Sequence, residues 1–491
     1  MRFSTLLTTG LLLQDNTVLG ATINSQTTEA PQLQPQPWFD RLRSLLPFPK
    51  DSDTAPIEIP HRISRYDQHV VLRFNISGEA QTNALANAIS TLYLDQWTSA
   101  KDHVDIGLSS KDIPSLLQLL PKNMHDQHST LVKNVTEVAL NTEPSARGRR
   151  EMEKAALQHN LFFAEYQPLS VITSWMKFLQ SMFPGFVSIE SIGDTFEGRP
   201  IQALKVGSHR GDSDEPKPII VITGASHARE WISVSTVAYM AYSLVTGYGK
   251  GMKGIDAMVD KYDWVFIPTL NVDGYVYTWE SDRLWKKNRQ ENSLSFCKGI
   301  DLDRAYDYHF DSSPQSSSNP CSPMYPGSRP FEAPEARHFS RYLANQTSPI
   351  AAILDLHSYS QSILYPYSYS CSHRPHNLEN IAELATGLAK TIRLTSGERY
   401  EVGSACDETG FVGYPGASGS GSMIDYMHGV QRVPFTYQIK LRDTGAHGFL
   451  LPKDQIVPTG EEMWAVLRYL AVWLADMDNG PTMKKDGGME L

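Results

Sequence analysis

The sequence predicts an α/β protein in two unequal parts: a large domain on a mostly parallel or mixed sheet, and a small α/β unit before it. Two observations carry this. From about 160 to 477, strand-like apolar runs alternate with segments of helical spacing, as in a sheet with helices packed on its faces. Residues 61–141 alternate on a smaller scale, in the order β-α-β-α-β with one more strand near Trp97, the pattern of a ferredoxin-like layer.

Residues 1–21 read as a secretory leader, with Arg2 ahead of a short apolar segment at Leu6 to Leu13 and small residues in "VLGA". Residues 22–60 are rich in Pro and Gln and read as a linker or pro-segment. In the small unit, "HVVLRFNI" suits a strand, and Leu85, Ala88, Ile89 and Leu92 mark a helix. "HVDIGL" alternates as a second strand, Ser110 is placed to cap a short helix, and "STLVKNVTEVAL" suits a last strand. Residues 142–160 read as an exposed connector, where Arg147 and the dibasic Arg149-Arg150 offer a processing site. In the large domain, 161–477, "KPIIVITGAS", "YDWVFIPTLN" and "IAAILDLHSYS" are buried-type strands. A helix ends at Gly247, and a last helix is expected from Thr459, boxed by Glu462, with Met463, Val466, Leu467, Leu470 and Leu474 as its stripe. Residues 478–491 form a polar tail.

The net charge of −10 argues against nucleic acid and anionic membrane surfaces as partners. No run of eighteen apolar residues offers a membrane span. The four cysteines, Cys297, Cys321, Cys371 and Cys406, contain no C-x-x-C and allow three pairings, of which the sequence-local one closes two loops of moderate length. With sequons at Asn75, Asn134 and Asn345, they point to an oxidising compartment.

The chemistry gathers at strand ends. "GASHAREWIS" sets His227 and Glu230 three apart after a buried strand, and "AAILDLHSYSQ" sets His357 after another. Ligand sites in open α/β sheets lie at the carboxyl ends of strands. Two His and one Glu make a three-ligand zinc site with a position left open. In "FTYQIKLRD", Phe435, Tyr437, Ile439 and Leu441 alternate with Thr436, Gln438 and Lys440, so this stretch alone puts Lys440 on a solvated strand face.

With "EGRPI" at 197–201, "HAREW" at 227–231, "NVDGY" at 271–275, "RLWKKNR" at 283–289, "LHSYSQSILYPY" at 356–367 and "LRDTGAHGFLLP" at 441–452, the chain resembles the zinc metallocarboxypeptidases of the carboxypeptidase A/B type in zymogen form, over 61–477. The resemblance implies a mixed eight-stranded sheet flanked by helices, with a ferredoxin-like pro-domain over the cleft. It also implies one Zn²⁺ on His227, Glu230 and His357, the pairs Cys297–Cys321 and Cys371–Cys406, and substrate contacts at Arg229, Ser358, Tyr359, Tyr414 and Ile424.

Three positions depart from the family's pattern. Lys440 stands where the catalytic Glu is expected, Lys286 replaces an Arg, and Asp303, before Arg304, replaces an Asn that grips the substrate's terminal carboxylate. An ammonium cannot accept the proton a general base must take, a role worth about 10²–10⁴-fold. Lysine also lacks the planar fork of arginine. Lys440 and Asp303 differ from the pattern with opposite signs, and are expected to compensate each other directly or through Arg304.

The expected function is therefore a monomeric, zinc-binding pseudoenzyme. It resembles the fungal inactive metallocarboxypeptidases linked to cell-wall organisation, with a peptide C-terminus or a wall component as ligand, secreted or in the vacuole. The alternatives are an active carboxypeptidase of altered mechanism and a scaffold whose cleft stays blocked by residues 61–141.

Overall fold

The computed structural model describes residues 60–145, 148, 154, 158–207, 216–248, 250, 252, 254–294, 296–310, 319–408 and 419–479. The leader, nearly all of the Pro/Gln-rich segment, Arg147, Arg149, Arg150, Tyr414 and most of the polar tail lie outside these residues.

The small unit is a four-stranded antiparallel sheet in the order β2-β3-β1-β4, built from β1 (His69–Asn75), β2 (Asp95–Ser99), β3 (His103–Ser109) and β4 (His128–Val132). Helices α1 (Glu79–Leu92) and α2 (Ile113–Leu119) bury Leu85, Ile89 and Leu116 against Leu72, Phe74 and Ile106. The strand near Trp97 is β2. Two local expectations are corrected. A 3-10 turn at Ser110–Asp112 precedes α2, and its cap is Ser109, whose side chain accepts from the Lys111 N–H. The last predicted strand stops at Val132, and Val135–Leu140 is helix α3, because Asn134 caps it by accepting from the Glu137 N–H.

The large sheet is mixed and eight-stranded, ordered β11-β10-β12-β9-β7-β8-β6-β5. Its strands are β5 (Val187–Asp194), β6 (Pro200–Val206), β7 (Ile219–Gly224), β8 (Asp263–Ile267), β9 (Ile350–Ser358), β10 (Ser362–Tyr365), β11 (Glu401–Ser404) and β12 (Phe435–Leu441). The central β12, β9, β7 and β8 are parallel, while β5–β6, β6–β8 and β10–β12 are antiparallel pairs.

Strands buried on both faces read as unbroken apolar runs, which explains "IIVITG" and "IAAILDL". On one face, α4 (Leu169–Met182), α5 (Trp231–Gly247), α6 (Leu378–Ser396) and α8 (Ile456–Asn479) bury Trp175, Val237, Leu388 and Leu467 over Ile222, Leu354 and Tyr437. On the other face, Phe339 and Leu343 of the helix Pro334–Ala344, with Met427 of α7 (Met423–Gly429), cover Val221, Val265 and Ile353. Each such side chain contributes about 1.5–3 kcal/mol on leaving water.

Helix α8 begins at Ile456, three residues before the expected cap. Pro458 sits in its first turn, where no N–H is needed. Thr459 instead donates back to the Gln455 carbonyl, and Glu462 is taken by Arg442, Ser396 and Tyr400. Both cysteine pairs form as the resemblance implies, Cys297–Cys321 and Cys371–Cys406.

The small and large units share a core. Ile63, Trp97, Val132 and Val135 pack with Leu284, Tyr359, Phe449 and Leu450 in one buried cluster. This contact lays β2 across the carboxyl ends of the large sheet.

Candidate metal centre and cleft

The site stands at the ends of two adjacent parallel strands. β7 stops at Gly224, where an added Cβ would lie 3.0 Å from the Ser233 carbonyl oxygen, so glycine lets the first turn of α5 pack closely on the strand end, and the short turn between them spans 225–230. That turn carries His227, and Glu230 is the residue immediately before α5. His357 is the penultimate residue of β9. One ligand atom from each of the three lies within 4.8 Å of the others.

The donor set fits zinc. His227 Nδ1 lies 2.9 Å from Glu230 Oε1, and His357 Nδ1 lies 3.0 Å from Glu230 Oε2. The far nitrogens are held by carboxylates: His227 Nε2 is 2.9 Å from Asp301 Oδ1, and His357 Nε2 is 2.7 Å from Asp355 Oδ2. Metal-binding imidazoles are oriented by such outer carboxylates, which leave the other nitrogen for the ion. Zn²⁺ bound there would supply a Lewis acid with an open coordination position.

Electrostatics follow from the packing. Burial alone would raise the Glu230 carboxyl, but His357 and His227 outweigh it and hold it well below the ordinary range. Burial alone would lower His357, but Asp355 and Glu230 keep it well above the usual histidine value. Asp301 is also held low, its burial outweighed by Lys286 and His227.

Lys440 lies on β12, in parallel register with His357 on β9. Residues paired in that way share a sheet face, about 4.8 Å apart at the backbone. Lys440 is half-buried and lines the same cavity as the three ligands. The solvated placement read from the stretch alone is thus corrected: the polar face of β12 is buried and turned to the cleft, with Thr436 and Gln438 both buried.

The cleft's other cations turn inward to acids. Lys286 Nζ lies 2.7 Å from Asp301 Oδ2, and Arg304 Nε lies 3.6 Å from the same oxygen. Asp303 accepts from Gln438 Nε2 at 2.8 Å and from the Met423 N–H at 3.2 Å. Desolvation raises its carboxyl, with Asp355 and Asp301 adding to the rise against His357 and His227. Arg304 turns to Asp301, and the β12 side chain bonded to Asp303 is Gln438, two residues before Lys440 on the same face. Ile424 is buried at the cavity wall beside Leu364 and Ala405.

The small unit occupies the remaining side. Gln96, Trp97 and Thr98 of β2 line the cavity with His227, Glu230 and His357. Arg229 Nη1 donates to both oxygens of Asp95, at 2.9 and 2.7 Å. The Tyr359 hydroxyl donates at 2.7 Å to Asp105 Oδ2, a fully buried carboxylate that Arg73 also clamps. Two expected substrate contacts are thus bonded to the small unit.

Sequence reasoning missed Asp301, Asp355, Gln438, Asp95 and Asp105. Asp355 and Gln438 were within reach, since each lies two residues before a named site residue on the same strand face. Asp95 and Asp105 carried no such signal, because their partners are far away in sequence.

Comparison with known proteins supports this geometry. The family model for zinc carboxypeptidases (peptidase M14) matches residues 172–466. The chain is 46% identical over 449 residues to an inactive metallocarboxypeptidase, ECM14, of Paracoccidioides lutzii, covering 87% of this chain and 75% of that one. It is 46% identical over 442 residues to the Sclerotinia sclerotiorum protein of the same name, covering 84% and 74%. Among solved structures, carboxypeptidase A from Helicoverpa armigera superposes with a TM-score of 0.71 at 26% identity, covering 84% of this chain and 99% of that one.

Proposed function

The chain belongs to the zinc carboxypeptidase family and is a pseudoenzyme of it; from that premise we propose that it binds one Zn²⁺ and a ligand in its cleft without cutting a peptide bond, because Lys440 occupies the place of the catalytic Glu. The observation that carries this reading is the register of Lys440 with His357. The group facing the metal from β12 is a cation where water activation needs a proton acceptor. Lys286 and Asp303 weaken the site further. The first has no guanidinium fork, and the second sets an acid where a terminal carboxylate would dock.

We place the protein in the secretory pathway, bound for the cell wall, the medium or the vacuole, with a part in wall organisation. Two disulfides and exposed sequons at Asn75, Asn134 and Asn345 support the compartment. The ligand is a peptide C-terminus or a wall component, and the pro-domain covers the cleft until displaced.

The test uses purified chain cleaved within 142–160, with zinc measured by atomic spectroscopy and a C-terminally apolar peptide titrated by calorimetry. One zinc per chain and peptide binding without product support the reading. Chelator-sensitive product would favour the second reading, a carboxypeptidase with a neutral Lys440 as base, for which the intact ligand set speaks.

A further inference from the structure

Three described residues that line the cleft carry a buried donor with no protein partner: Ser358, Arg229 and Trp97, whose Nε1 sits against Gly107 of the small unit. Every carboxylate at the centre has donors: Glu230 faces His227, His357 and the Ser358 N–H, Asp301 faces His227 and Lys286, and Asp303 faces Gln438 and Met423. In contrast, Ser358 Oγ and Arg229 Nε are buried with no protein partner. Their residues are 6% and 2% exposed, and both line the cavity that holds the metal ligands and Lys440. An unpaired buried donor costs about 1–3 kcal/mol, and more when charged.

We propose that this cavity is an oxyanion site, in which Lys440, Ser358 Oγ and Arg229 Nε hold a small carboxylate or phosphate against the open side of the metal. The inference rests on the zinc-binding reading above and names the ligand class of that same site. The sign of the charge decides it. A divalent ion brings two positive charges, of which Glu230 cancels one. A glutamate at position 440 would repel an anion from the open position, whereas Lys440 attracts it from the strand beside His357. The cavity, about 180 Å³ and roofed by Gln96, Trp97 and Thr98, suits a small oxyanion while the pro-domain is in place. The same chemistry could be presented by a free anion or by a peptide's terminal carboxylate.

The experiment uses the full chain loaded with cobalt(II), whose visible absorption responds to a ligand entering the coordination sphere. Acetate, inorganic phosphate, glycylphenylalanine and its C-terminal amide are titrated in turn. Saturable spectral change with acetate or phosphate is expected. Lys440→Met should weaken it at least tenfold and Ser358→Ala about threefold to tenfold, with cobalt per chain unchanged. Lys440→Gln serves as a second variant if the first fails to fold. Response to the dipeptide but not its amide makes a peptide end the source, and response to acetate and phosphate alone makes it a free anion. Cobalt binding with no anion response, or an equal response in the Lys440 variants, overturns the inference and leaves the metal reading standing. A chain that binds no metal overturns both.

Discussion

Lys440 and His357 sit side by side on adjacent parallel strands, in register, at the ends that carry the metal ligands. On the function proposed above, the site keeps what a metal requires and replaces what water activation requires. Reverting Lys440→Glu alone is expected to keep zinc and give little hydrolysis, because Lys286 and Asp303 remain. The triple reversion Lys440→Glu, Lys286→Arg and Asp303→Asn should exceed it by about 10²-fold, the scale of a lost oxyanion donor. Initial rates on a C-terminally apolar peptide, with the connector cut, check this. Robust hydrolysis by the single variant would contradict it.

Zinc affinity should rise with pH. In the metal-free chain His357 is held protonated well above its ordinary value, as Asp355 and Glu230 outweigh its burial. The folded state therefore keeps a proton that the unfolded state releases above about pH 6.5. That contribution to stability is complete below about pH 6.5 and is lost as pH rises through the folded value. Zinc must displace the same proton, so its affinity should climb by up to about tenfold per pH unit in that window. Competition titrations between pH 6 and 8 measure it, and a flat profile would contradict the argument.

The small unit is expected to be held as firmly as a piece of core. Asp105 is fully buried between Arg73 and Tyr359, so Asp105→Ala leaves Tyr359 without its acceptor and Arg73 with only the Thr444 carbonyl. Removing one partner of a buried ion pair costs about 3–5 kcal/mol, and Arg73 is 20% exposed, which places this case toward the low end. Asp95→Ala should cost less, since Asp95 is 35% exposed. Urea unfolding of the two variants should rank them in that order.

The Cys371–Cys406 bridge links residues 35 apart. Chain-entropy arguments give about 3 to 4 kcal/mol for a loop of that size. Cys371→Ser with Cys406→Ser should lower unfolding stability by about that amount and leave zinc content unchanged. Loss of zinc in this variant would show that the bridge shapes the metal site.

Much of the fold was legible because it rests on periodicity. The central strands, the stripe of α8 and the β-α-β order of the small unit each follow from apolar spacing within one segment. The helix at Val135–Leu140 was missed because its Val135, Val138 and Ala139 fit a short strand almost as well, and the deciding signal was the Asn134 cap. That His227, Glu230 and His357 come together was legible from residue type and place at strand ends. The face of Lys440 was not, since alternation separates two faces without saying what lies beyond each. That required the register of β12 against β9 and the small unit's β2 across the cleft, both long-range contacts.

The most direct test is release of the C-terminal residue from benzoyl-glycyl-phenylalanine by the native sequence, cut within 142–160, with zinc measured in the same sample. One zinc per chain is expected, with no release that a chelator abolishes. Chelator-sensitive turnover by the unaltered chain would contradict it.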